Sequence, residues 1–105
     1  MVTILVIEPE QAPVTREVVA ELRALQAVVG GYLEAVPLAP GIALWCNEER
    51  NLHGLRPNRL LPEIGDIIYG TFIIARTGSD GNWVSLTDKD VTHYSRKFRN
   101  RGSSH

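Results

Sequence analysis

Apolar residues fill every position from Val2 to Ile7 except Thr3, without alternation. Such a run predicts a strand buried on both faces, ended by Glu8 and Pro9. The period then lengthens. Val18, Val19, Leu22, Leu25 and Val29 lie along one helical stripe, while Arg16, Glu17, Glu21 and Arg23 fall elsewhere. This predicts a helix after Pro13, capped by Thr15 and stopped at Gly30 and Gly31. Two short β-prone runs, 32–38 and 42–47, flank Ala39-Pro40-Gly41 and predict a hairpin. The segment DIIYGTFIIA, residues 66–75, predicts one strand with a bulge or close backbone approach at Gly70. Residues 78–82 form a turn signal, and 83–86 predicts a short returning strand. Thr87 then caps a second helix, with acidic residues near its start, basic residues in its last turn, and Val91, Tyr94 and Phe98 on one face. The order β-α-β-β-loop-β-β-α gives an α+β class: one small domain over residues 1–101, with one mixed, mostly antiparallel sheet and two helices packed on it. Residues 102–105 read as a flexible end or tag remnant.

Composition narrows the partners. A chain of 105 residues supports one core and not two. Its net charge of -1 argues against a protein that coats nucleic acid by charge alone. The average hides a split, since Arg96, Lys97, Arg99 and Arg101 gather at the C-terminal end. That cluster sets up one alternative function, a weak nucleic-acid-associated module. A single cysteine forms no internal disulfide and fits a reducing cytoplasm. The first apolar run is too short for a membrane span, so the expectation is a cytoplasmic protein with no membrane partner.

The segment 46-CNEERNLHGLRPNR-59 has neither period. Cys46 and His53 suggest a nucleophile and base, but no glycine-rich oxyanion turn and no third orienting group accompany them. They also lack the company for a closed zinc site, so no metal, no cofactor and no catalytic residue is assigned. Cys46 reads instead as a small buried hydrophobe at a strand end. Glu48, Glu49 and Asp66 read as solvated acids, with no phosphate-binding glycine motif nearby. Arg56 and Arg59, beside Asn51 and Asn58, offer two readings. Guanidinium forks receive anions, which makes a small-ligand or nucleotide-binding domain the second alternative function. An irregular segment must also satisfy its own carbonyls, and Arg59 with Asn58 suits that task. Trp45 and Trp83 are each either core residues or interface anchors.

The succession LQAVVGGYLEAV, NEE, GLRPNR, DIIYGTFIIA and VSLTD, in this order over residues 2–98, resembles the family known as domain of unknown function 3846. The resemblance implies a small accessory protein carried by phages, plasmids or other mobile elements, with no assigned reaction. Gly30, Gly31, Tyr32, Asn47, Glu48, Asn58, Arg59, Gly70, Thr71, Ser85, Leu86 and Thr87 are the positions that carry it. His53, and Arg56 directly before Pro57, depart from it. The resulting expectation is a non-enzymatic protein that binds and modulates a host or phage protein, for instance as an inhibitor of a host enzyme or defence system. The candidate binding residues are Asn47, Glu48, Asn51, His53, Arg56, Asn58 and Arg59.

Overall fold

In the computed structural model, which describes residues 1–49 and 54–100, the first apolar run is a buried strand, β1 (Val2–Ile7). Its even and odd side chains enter different hydrophobic clusters, one on each face of the sheet, so the interior is split in two where the chain length suggested one core. Val2, Ile4 and Val6 face one cluster, while Leu5 and Ile7 face the other. This is why the run does not alternate in polarity: a strand covered on both faces has no solvent side.

The next strand, β2 (Val14–Val18), pairs antiparallel with β1. It corrects the expected helix from Thr15. Only Leu22–Val29 is helical, forming α1. The apparent stripe arose because Val18, from a strand, and Leu25 and Val29, from a helix, reach the same core. Val19 and Leu22, which the stripe required to be buried, are exposed. Pairing with β1 and the lack of any burial for Thr15, Arg16 and Glu17 fit an edge strand, where polar side chains are tolerated on both faces. Gly30 closes α1 with φ 89°, a left-handed geometry that suits glycine.

β3 (Leu33–Ala39) and β4 (Ile42–Asn47) form the expected hairpin. The predicted 66–75 strand is instead two strands, β6 (Asp66–Tyr69) and β7 (Phe72–Thr77). The break falls at Gly70, whose φ is 76°. A side chain there would start 2.9 Å from Leu55 Cδ1, and the Gly70 N–H donates to the Arg56 carbonyl at 2.7 Å. The chain can then leave one sheet for the other. β6 pairs with β5 (Pro57–Leu61), a strand that begins within the segment 46–59 read as irregular and runs past its end.

β8 (Trp83–Val84) pairs with the end of β7, and α2 spans Asp88–Lys97. The main sheet runs β2-β1-β7-β4-β3, with β8 beside β7, and every strand pairing among the described residues is antiparallel. The α+β class stands, with a two-stranded sheet added to the main one. Leu25 and Val29 of α1 cover the face formed by Ile4, Ile73 and Ala75. Tyr94 and Phe98 at α2, with Leu61 and Ile68 of the β5–β6 hairpin, cover the face formed by Leu5, Leu44, Phe72 and Ile74. Phe98 meets Phe72 edge to face at 5.2 Å.

Candidate functional site

The predicted site residues divide among separate tasks. Asn47, at the end of β4, is buried and closes the gap between β4 and the end of α1. Its Nδ2 donates to the Gly30 carbonyl at 3.4 Å, and its Oδ1 accepts from the Glu49 N–H at 2.8 Å. Gly31 must be small here, since an added Cβ would lie 2.6 Å from Asn47 Nδ2. Glu48 is exposed, and its backbone N–H continues the ladder to the Tyr32 carbonyl at 2.9 Å. Gly30, Gly31, Tyr32, Asn47 and Glu48 therefore meet at one place although 15 or more positions separate the two groups in sequence. Asn51 and His53 lie outside the described residues, as does Arg101.

Asn58 and Arg59 form a second brace. Asn58 Nδ2 donates to the Ile7 carbonyl at 2.9 Å and to the Gly70 carbonyl at 2.8 Å. It thus ties the end of β1 to the break between β6 and β7. Arg59 reaches across three segments: Nε donates to the Phe98 carbonyl at 2.9 Å, Nη1 to Asn58 Oδ1 at 2.7 Å and to the Asn58 carbonyl at 3.3 Å, and Nη2 to the Gln11 carbonyl. Burial lowers the Arg59 pKa from its ordinary value, because desolvation disfavours the charged form. The guanidinium bonds the carbonyls of Phe98, Gln11 and Asn58, and this is the bracing role anticipated for Arg59 with Asn58.

Arg56 behaves differently. Its Nη2 pairs with Glu10 Oε2 at 2.6 Å, and both side chains are largely exposed. Arg56 and Arg59 therefore make different kinds of contact, the first to an exposed carboxylate and the second to backbone and amide oxygens. Glu10 sits in the turn after β1, where the Gln11 N–H donates to the Glu8 carbonyl at 3.1 Å. Its φ of 64° occupies a position after Pro9 that usually goes to glycine or asparagine. The Glu10 carbonyl accepts from Asn100 Nδ2 at 3.0 Å, so this turn is joined to the chain beyond α2.

These contacts outline a groove of about 490 Å³ between β5, the Glu10 turn and the end of α2. Arg59, Lys97 and Arg99 are its cationic side chains, with Glu10, Asn58 and Asn100 alongside. Lys97 pairs with Glu63 Oε2 at 2.6 Å, an interaction that lowers the Glu63 pKa. The Arg59 contribution was legible in sequence, but the meeting of β5 with the α2 end was not. Nothing in a one-dimensional pattern relates residue 59 to residues 97–100.

The other candidates resolve simply. Cys46 is fully buried with its Sγ 3.7 Å from the Glu34 carbonyl, as expected of a small core residue. Trp45 and Trp83 stack edge to face at 4.8 Å beside the α1 core, so neither is a fully projecting anchor. Among the described residues, no group of three or more His, Cys, Asp or Glu side chains is arranged to hold a metal. No helix there is long and apolar enough to cross a membrane.

Fold and site define a small α+β domain in which a second, two-stranded sheet is tied to the first by Asn58 and to the end of α2 by Arg59. Residues 2–99 match the family described as Domain of unknown function (DUF3846), and the chain belongs to that family. No curated protein and no solved structure matches it.

Proposed function

We propose that this chain is a non-enzymatic accessory protein that binds another protein through the outer face of the β5–β6 hairpin. One observation carries the reading: Leu60 and Ile67 stand directly opposite each other in register, 63% and 37% exposed, with Ile64 exposed at 43% in the connecting turn. The inner partners Leu61 and Ile68 are fully buried, so the hairpin satisfies the core with one face and presents apolar side chains with the other. Clustered large apolar groups at the surface favour burial against a partner. Exposed Arg56, immediately before β5, adds a charge at the rim. The resemblance supports a phage- or mobile-element-borne protein that modulates a host protein, and the single cysteine supports action in the host cytoplasm.

The test is affinity capture from host-cell lysate, with and without nuclease, using the wild type and a Leu60→Thr/Ile67→Thr variant. Threonine keeps β propensity while removing apolar surface. The expected result is a nuclease-resistant partner lost in the variant, with the melting temperature of the variant close to wild type. Equal capture by both chains overturns the hairpin reading. Capture abolished by nuclease overturns it in favour of nucleic-acid contact through Arg96, Lys97 and Arg99.

A further inference from the structure

The groove between β5 and the end of α2 has a charge imbalance that the fold itself does not resolve. Four charged side chains around it form two pairs, Arg56 with Glu10 and Lys97 with Glu63. Two guanidinium groups that line it, Arg59 and Arg99, have no carboxylate partner among the described residues. Arg59 is the more telling of the two. It is half-buried, and its hydrogen bonds go to the oxygens of Phe98, Asn58 and Gln11, all neutral. A guanidinium has five N–H donors, so these four bonds leave one on Nη2. Neutral oxygens satisfy hydrogen bonds but do not neutralise a partly desolvated charge.

Arg99 lines the same groove as Arg59. Arg59 Nε is held by the carbonyl of Phe98, the residue directly before Arg99. Leu60 and Pro62 supply an apolar wall, and the Asn58 and Asn100 side chains add polar groups. Glu10 is the one acid in the lining, and its carboxylate is already engaged by Arg56.

We propose that this groove binds a doubly charged oxyanion, a phosphomonoester or a dicarboxylate, between Arg59 and Arg99. Two surplus cations match two negative charges: Arg59 offers its charge and one remaining Nη2 donor, and the planar fork of Arg99 suits either oxyanion. Arg59 is positioned by its carbonyl bonds before any ligand arrives, whereas Arg99 is exposed and supplies the charge that closes on it. The site does not depend on the hairpin face serving as a protein-binding surface.

The test titrates the full-length ¹⁵N-labelled chain with inorganic phosphate, with succinate and with sodium chloride at matched ionic strength, following the arginine Nε–Hε signals by NMR. The Arg59 and Arg99 signals should move saturably with phosphate, succinate or both, and not with chloride. Which probe binds distinguishes the phosphoryl from the carboxylate source. Arg99→Ala should weaken saturable binding at least tenfold while leaving the melting temperature in chloride unchanged. Arg99→Lys should recover part of the affinity. Linear shifts identical to those in chloride, or equal binding by wild type and Arg99→Ala, overturn the proposal.

Discussion

The two helices cover opposite faces of the main sheet and are held there by different means. α2 carries its own instructions. Thr87 Oγ1 accepts from the Asp90 N–H at 3.1 Å while the Asp90 carboxylate accepts from the Thr87 N–H at 2.9 Å, closing a capping box. Asp88 and Asp90 sit in its first turn, and Arg96 and Lys97 in its last, each favourable against the helix dipole. Asp90 also receives Nε and Nη2 of Arg76, both at 3.0 Å, which fastens the helix start to β7. α1 has none of this. Glu21 at its N-cap makes no side-chain capping bond, its first turn holds no acid and its last turn no base. Eight residues do not sustain a helix alone, so α1 exists because Leu25 and Val29 are buried against the sheet. A helix can thus be specified by its ends or by the surface it covers, and only the first is written locally.

Removing the local specification of α2 should have the largest effect. Asp90→Ala loses the cap and strands the Arg76 guanidinium, with an expected cost of about 2–4 kcal/mol in urea denaturation. Burial pushes the Asp90 carboxyl up, but the hydrogen bonds from Arg76 and Thr87 outweigh it and hold its pKa below the ordinary value. A depressed folded pKa means that the contribution is complete above the unfolded carboxylate's titration, near about pH 4, and is lost as pH falls through the folded value. Acid denaturation of Asp90→Asn should therefore be flatter than wild type over that window. An unchanged profile would show that the Arg76 contact does not stabilise the fold.

The contrast recurs within three residues of β5 and its approach. Arg59→Ala should cost about 1–3 kcal/mol, since it removes the side-chain donors that bond the Phe98, Gln11 and Asn58 carbonyls. Arg56→Ala should stay within about 0.5 kcal/mol, because its ion pair with Glu10 is exposed. Equal costs in the same denaturation experiment would remove the distinction between brace and rim.

The smallest expected change runs the other way. The backbone at Glu21, with φ -136° and ψ 146°, already has the extended geometry of a capping residue. Glu21→Ser should supply the missing cap and stabilise by about 0.5–1 kcal/mol. No gain would show that tertiary packing alone sets where α1 begins.

What the sequence determined by itself is what short-range physics can encode. The unbroken apolar run of β1 required a strand covered on both sides, Ala39-Pro40-Gly41 required a reversal between β3 and β4, and Thr87 with Asp90 required the start of α2. The α+β class follows from these, as does the buried state of Cys46. Tertiary structure decided the rest. Thr15, Arg16 and Glu17 became part of a strand because β1 offered a free edge, a partner that the helical periodicity of the segment could not reveal. Residues 57–61 became β5 only by pairing with 66–69, and Gly70 divided one apolar run into two strands because Leu55 and the Arg56 carbonyl approach it. The basic groove belongs to the same category. Its cations come from positions 59, 97 and 99, and they share a surface because Arg59 bonds the Phe98 carbonyl at the end of α2. Local sequence can place a charge on an element, but which charges face one another depends on how the elements pack.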